Sequence, residues 1–252
     1  MLLLEMTAPD TYSPRDSLVT FGMDEVQFLR DALRRSPHDS IRIDVIRSID
    51  PKIVETFLIF RAGPDTHAHA HPTDDTSFLA IDGAADVLLF DSHGTLLRTV
   101  ALGDRSSGLP YFCRVPHGRY YGVRPRSESF LCLQASSGPP SDQSTIVPGW
   151  QPVPCPFDSP LSTSGPESVF HPKHDACLIP LANIDPRVLT ATEAVVTLGP
   201  AENRFLVSQR ELRDVDRLRI CVHKDTEDRL HEMLMTFSAA SYVRPSLHVD
   251  KE

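Results

Sequence analysis

Three histidines, at positions 67, 69 and 71, alternate along one short stretch of the chain and stand directly before Pro72. Side chains of a β-strand point in turn to its two faces, so a strand here would carry all three imidazoles on one face. Imidazole nitrogens are common ligands of divalent transition metals. Residues two positions apart can converge on one ion, whereas residues four apart lie about 13 Å from each other and cannot.

The residues around these histidines follow a recognisable spacing. Gly63 precedes the His69-Ala-His71 pair, and Thr76 and then Gly83 follow it. This is the spacing of the first metal-binding motif of cupin barrels, and it selects His69 and His71 as the ligand pair. The motif usually has a glutamate where this chain has Thr76.

A second segment, 116–121, reads Pro-His-Gly-Arg-Tyr-Tyr and resembles the second cupin motif, Pro-x-Gly-x-x-His, with Tyr121 in place of its histidine. Three groups could add to a metal site: the phenolate of Tyr121, Asp75 on a bulged strand, and His67 near the barrel mouth. A phenolate is costly because the pKa of free tyrosine is about 10. The sequence therefore leaves two alternatives open, a bound divalent transition metal (Zn, Fe, Ni or Mn) or a vacant site.

The chain also repeats itself. A shift of 177 residues aligns 19–71 with 196–248 without a gap, and 14 of these 53 pairs are identical, Glu55 and Glu232 among them. The second copy reaches only to its own histidine strand. We therefore expect one near-complete unit followed by a partial second one.

Both copies resemble the WbuC-type cupin-fold metalloproteins, which are associated with the biosynthesis of O-antigen and other surface polysaccharides. The matching features are a leader helix, the segment 218–234, the Ser-Tyr-Val-Arg-Pro run at 241–245, and the Val-Leu-Leu-Phe-Asp run at 87–91 before a Pro-x-Gly turn. The resemblance implies a barrel that holds a metal, with His69 and His71 matching the two motif histidines.

Hydrophobic patterning predicts a mainly β protein. Residues 23–35 have apolar residues at helical spacing and predict one short N-terminal helix, whereas short apolar runs broken by turn residues follow it. We expect a cupin (double-stranded β-helix) barrel with this helix at 1–140, a proline-rich arm at 141–189, and a partial second cupin-like unit at 190–252. The arm contains Trp150, which we expect to dock on a neighbouring surface.

Composition excludes several classes of function. A formal charge of −9 and a pI near 5.6 argue against nucleic-acid binding, which needs clustered basic residues. No apolar run has the length of a membrane span or signal peptide, so we expect no membrane partner and a cytoplasmic location. The five cysteines are odd in number and contain no Cys-x-x-Cys pair, which indicates neither a disulfide framework nor a zinc ribbon.

The sequence favours a protein that binds a small polar ligand, a sugar derivative, in the barrel mouth. Thr76, Tyr121, Arg114 and Arg119 are the predicted ligand-binding residues, the two arginines because guanidinium pairs with anionic groups. Two alternatives remain open: a metal-dependent sugar isomerase, epimerase or dioxygenase that uses His69 and His71, and a non-catalytic assembly module. We also expect a homodimer, or pairing of strands at 217–222 and 233–243 with an edge of the first barrel.

Overall fold

The computed structural model describes residues 4–15, 19–45, 53–63, 68–138, 145–150, 179–223, 225, 227–239 and 241. The chain begins with strands β1 and β2, helix α1, and strands β3 and β4, whose bounds are Leu4–Ala8, Thr11–Pro14, Met23–Arg35, Ser40–Asp44 and Val54–Arg61. The predicted N-terminal helix is thus confirmed. Its apolar stripe, which includes Leu29 and Leu33, packs on Ile59 of β4.

Six strands follow in the first unit. They are β5 to β10, with bounds Thr76–Asp82, Ala84–Phe90, Leu96–Gly103, Phe112–Val115, Tyr120–Pro125 and Ser129–Ser136. One sheet contains the order β4-β10-β5-β8, and the other has the order β7-β6-β9. The histidine segment, residues 68–71, lies beside β9 through a bridge between His69 and Tyr121 and extends the second sheet.

This strand order identifies the barrel. Counted along the chain as β4, the histidine segment and β5 to β10, the eight strands cross between two facing sheets at every connection except the β6–β7 hairpin, as in a double-stranded β-helix. The core between the sheets is apolar, and Phe78, Val87, Phe130 and Cys132 are each at most 1% exposed. The predicted mainly β barrel is confirmed.

The second unit consists of six elements, and all of them except β13 match elements at the start of the first unit. They are β11, β12, β13, α2, β14 and β15, with bounds Leu181–Asp185, Val188–Ala191, Val196–Leu198, Pro200–Leu212, Arg217–Cys221 and Met233–Phe237. Strands β11 and β12 lie 177 residues after β1 and β2, as α2 does after α1. Pairing is also reproduced: β12 is parallel to β14 as β2 is to β3, and β14 is antiparallel to β15 as β3 is to β4. The structural repeat therefore extends back to Leu4.

The two units are joined by a strand that the sequence did not predict for this role. Strand β13 pairs with the edge of the barrel at β8, whereas β14 and β15 pair with each other. The prediction that β14 or β15 would cover the barrel edge was wrong, because the shorter β13 already satisfies the backbone groups of β8. Among the described strands, β15 has no partner on its other side, and the homodimer stays a prediction.

The predicted arm is described only in part. Trp150 packs on Phe90 and Tyr120 with ring centroids 5.4 Å away in each case, and its indole nitrogen donates to the carbonyl oxygen of Ser92 at 3.0 Å. Gly94, with a φ of +87°, lies beneath this ring in the β6–β7 turn. Strands β11 and β12 begin near the C-terminal end of the range assigned to the arm, and the three-part division of the chain stays a prediction.

Neither helix in the described part of the chain has the length and apolar character needed to cross a bilayer. Both are 13-residue helices that cover the outer faces of sheets.

Candidate functional site

His69 and Tyr121 form the centre of the site. Their backbones pair on adjacent strands, with N···O distances of 2.9 and 2.8 Å, and their side chains also meet. The Nε2 atom of His69 lies 3.0 Å from the Tyr121 hydroxyl oxygen, in hydrogen-bonding contact. Tyr121 thus lies beside the histidines and not on the facing sheet, because β9 is the direct neighbour of the histidine segment.

His71 lies on the same face of the segment, two residues further on. Its ring centroid is 5.3 Å from that of His69, and both side chains are half-buried. Burial, and then repulsion from His69, lower the pKa of His71 below its ordinary value, against an opposing effect of Asp74. His71 therefore presents a neutral imidazole that can donate one hydrogen bond and accept another.

Tyr121 is a neutral phenol. It is 2% exposed, and burial raises its pKa above the ordinary value of tyrosine, although the nearby Thr76 hydroxyl acts in the opposite direction. Ionisation would place a phenolate in the apolar core beside Phe78. The predicted phenolate ligand is thus opposed by its surroundings.

Thr76 approaches this pair from the facing sheet. It is 1% exposed, and its Oγ1 atom lies near the Tyr121 hydroxyl, whose pKa it lowers, but makes no hydrogen bond of normal geometry to any described group. A buried hydroxyl without a partner costs about 1–3 kcal/mol, so this oxygen is a place where a bound polar molecule would gain a contact. The structure therefore brings together His69, His71, Thr76 and Tyr121.

Further polar residues line the same inner face, and sequence reasoning missed them. Thr56 and Gln134 are cross-strand neighbours, and Ser136 pairs with Thr76. Thr56 and Gln134 belong to the lining of a cavity of about 80 Å³, together with Arg42 and Asp44. The signal was present in the sequence, since Cys132, Gln134 and Ser136 occupy alternate positions of one strand and share one face.

Arg114 and Asp75 lie on the opposite face of the sheet. Thr76 pairs with Val115 and Ser77 with Arg114, so Arg114 points away from the barrel interior, where Val115 packs. Its guanidinium is 2.5 Å from Asp75 and 2.7 Å from Asp228 of the second unit. Burial opposes ionisation of Asp75, but hydrogen bonds from Arg114 and His117 prevail and lower its pKa.

Of the two remaining predicted site residues, the structure describes only Arg119. Arg119 is half-buried in the turn between β8 and β9. His67 lies outside the described residues. The role of both as ligand-binding or metal-binding residues stays a prediction.

The residues at this site do not fit a tightly held transition metal. Such an ion normally takes three or four protein ligands, and the described residues contain no group of three His, Cys, Asp or Glu side chains that could hold one. The Nε2 atom of His69 is already engaged by Tyr121, and Asp75 is turned away toward Arg114. Two imidazoles and two hydroxyls are better suited to hydrogen bonding with the hydroxyl groups of a ligand than to coordinating a metal ion.

Comparison with known proteins supports no functional assignment. No protein-family model matches the sequence, and no curated protein matches it either. Similar solved structures include Bacillus subtilis oxalate decarboxylase (18% identity, TM-score 0.32) and CapF with an inhibitor bound (12%, 0.37). They also include an uncharacterised protein with a double-stranded β-helix domain from Klebsiella pneumoniae (17%, 0.37).

The matches cover 38%, 44% and 53% of this chain, respectively. They cover 24%, 32% and 99% of the other chains, so this chain spans about a quarter of the oxalate decarboxylase and a third of CapF. With TM-scores below 0.5, these likenesses carry no argument, and the fold rests on the strand order described above. This is a cupin-fold chain. Its reaction, if it has one, must be argued from the site itself.

Proposed function

We propose that this protein is a cytoplasmic cupin-fold binding protein that holds a small hydroxyl-rich molecule, a sugar derivative, in the mouth of its first barrel. The observation that carries the proposal is the buried Thr76 hydroxyl, which lacks a hydrogen bond of normal geometry and faces the His69–Tyr121 pair. A role in surface-polysaccharide biosynthesis is the biological setting that the WbuC-type resemblance suggests.

The chemistry of the four side chains suits alcohols. Each sugar hydroxyl donates one hydrogen bond and accepts others, and Thr76 and the neutral His71 can each do both. Tyr121 fixes the ring of His69 by its hydrogen bond, so the imidazole is held in place before a ligand arrives. Each such hydrogen bond contributes about 0.5–1.5 kcal/mol, and two or three together give weak but selective binding.

Thr76→Val should strengthen the fold and weaken the binding. Valine has nearly the shape of threonine and removes a buried hydroxyl that lacks a hydrogen bond of normal geometry, so we expect the free energy of unfolding to rise by about 1 kcal/mol. Binding of a sugar probe should weaken about 5- to 10-fold, since one ligand contact is lost. Urea unfolding and NMR titration with D-glucose, D-galactose, D-mannose and UDP-glucose measure the two effects.

Thr56→Val is the matched control for this variant. Thr56 is also buried, but its hydroxyl donates to Asp44 at 3.0 Å, so its removal should destabilise the protein. The two valine variants should therefore change stability in opposite directions. If no probe saturates the wild-type protein, or if Thr76→Val leaves the affinity of a bound probe unchanged, the binding proposal is wrong.

A second function, a metal-dependent sugar isomerase, epimerase or dioxygenase, is favoured by one observation. His69 and His71 lie on one face with ring centroids 5.3 Å apart, as two ligands of one ion would. In that case the chain retains two of the usual ligands and lacks the rest. Metal binding would then be weak but could be restored.

The double variant Thr76→Glu, Tyr121→His should raise metal occupancy severalfold. It places a carboxylate on the facing sheet and an imidazole beside His69, which completes a four-ligand set. Elemental analysis after loading with Zn²⁺, Mn²⁺, Ni²⁺ or Fe²⁺ measures the gain, and circular dichroism checks the fold. The same pair of substitutions on a His69→Gln, His71→Gln background is the control and should gain nothing. Unchanged metal content in the folded double variant would show that these two positions do not limit binding.

A further inference from the structure

A second and larger cavity lies between the two units, on the outer face of the barrel sheet. Its volume is about 290 Å³, at the lower end of the range for small-molecule sites. Its walls are mostly apolar, and both units contribute to them through Leu79, Phe112, Leu133, Leu198, Val222 and Leu234. The Thr76 site lies on the other face of the same sheet, so the two cavities are separate.

Two carboxylates interrupt these apolar walls. Glu55 and Glu232 both line the cavity, and they occupy the same position in the two copies, 177 residues apart. Ser77 donates a hydrogen bond to Oε1 of Glu232, whereas the buried Oε2 atom has no partner among the described groups. The cavity therefore contains an apolar volume with an unsatisfied acceptor.

The charges around Glu232 decide which ligand this acceptor suits. Asp75 and Asp228 are the nearest other acids among the described residues, and Arg114 is already paired with both of them. With Glu55 also in its lining, the cavity has an excess of negative charge. A bound cation would balance it, whereas a bound carboxylate or phosphate would be repelled.

We propose that this cavity is a second ligand site, and that it binds a small molecule with an apolar body and a single protonated amine. The ammonium group lies between Glu232 and Glu55 and donates to the open Oε2 atom. The apolar body packs on the leucines of both units. The site is separate from the proposed sugar site, so either can fail without the other.

Binding at this site is coupled to the ionisation of Glu232. Burial raises the pKa of Glu232 to about 7, and Ser77 and Arg114 oppose this shift while Asp228 and Asp75 add to it. His223 also faces this residue, with its ring nitrogen Nδ1 3.2 Å from the Glu232 carbonyl oxygen. Because an ammonium group prefers the ionised carboxylate, affinity should be higher at pH 8 than at pH 6.

Calorimetric titration with phenethylamine and with 2-phenylethanol tests the proposal on the full chain. We expect one site for the amine, weaker binding of the alcohol, and weaker amine binding at pH 6. Glu232→Gln should weaken amine binding about tenfold or more, since it removes a charge-assisted hydrogen bond. Glu211→Gln is the matched control because the Glu211 side chain is 65% exposed and distant from the cavity lining, and it should change nothing.

Two further variants keep the test decisive. Ala135→Leu fills the cavity without altering charge and should abolish amine binding, whereas Thr76→Val should leave it intact. Equal affinity for amine and alcohol, or amine binding that survives Glu232→Gln in a folded variant, would overturn the proposal. So would the absence of any heat of binding to the wild-type protein at pH 8.

Discussion

Replacement of Arg114 by alanine is expected to lower the free energy of unfolding by about 3–5 kcal/mol, the range for breaking a buried ion pair on one side. The Arg114 side chain is 4% exposed, and those of Asp75 and Asp228 are 15% and 11% exposed. The guanidinium also donates to the carbonyl oxygen of Leu230 at 2.8 Å. Alanine would leave two carboxylates close together, with little water and without the guanidinium that pairs with both.

Urea unfolding at pH 7 measures this loss. Arg34→Ala is the matched control, because Arg34 pairs with Asp31 at 3.1 Å on the surface, where the two side chains are 60% and 46% exposed. A pair of this kind contributes about 0–1 kcal/mol, so the control should be nearly neutral. If Arg114→Ala lowers the free energy of unfolding no more than Arg34→Ala does, the ion pairs of Arg114 with Asp75 and Asp228 do not hold the two units together.

A triple variant separates the loss of the ion pair from the loss of packing. Arg114→Met with Asp75→Asn and Asp228→Asn removes all three charges, and it should recover most of the stability that Arg114→Ala loses. Asp75 belongs to the barrel and Asp228 to the second unit, so Arg114 joins the two parts of the chain. Loss of Arg114 should therefore have its largest effect on the cooperativity with which the two units unfold.

The position of Arg114 shows what a local pattern can and cannot predict. The sequence placed it beside the second motif and suggested a ligand-binding role. Strand alternation was available as a signal, since Cys113 and Val115 face the core and the residue between them must face outward. The partner Asp228 was not predictable, because 114 residues separate it from Arg114 and no periodicity connects them.

The histidine site was more predictable than the rest for a physical reason. His69 and His71 share a face because of the period of a strand, and Gly83, with a φ of +77°, marks a turn at which an L side chain would be strained. Both are local properties of the backbone. The direct contact of His69 with Tyr121 depends instead on strand order, which a short motif does not specify.

The repeat was also predictable, but its consequence was not. Identities between copies predicted two related units, and the matching pairings of β11, β12, β14 and β15 agree with this. How the units pack depends on outward-facing side chains such as Phe112, which joins the core of the second unit. The sequence does not distinguish a side chain that faces a second unit from one that faces water.

Glu232→Gln is expected to stabilise the protein at pH 8 and to leave it nearly unchanged at pH 5. Burial raises the pKa of Glu232 from 4.5 to about 7 in the folded state. The folded protein therefore binds a proton more tightly than the unfolded chain, and stability falls as the pH rises from about 5 to about 7. Above pH 7 the folded state has a buried carboxylate whose cost is at most about 3 kcal/mol.

Urea unfolding at pH 5, 6, 7 and 8 measures the difference between variant and wild type. Glutamine keeps an oxygen that can accept from Ser77 and has no charge to bury, so the difference should grow through this range and level off near pH 8. Glu211→Gln should run parallel to the wild type, because the Glu211 side chain is largely in water. A constant difference from pH 5 to pH 8 would mean that Glu232 titrates like an exposed acid. The carboxyl group between the two units would then be ionised throughout this range, and its charge would have to be balanced by groups other than a proton.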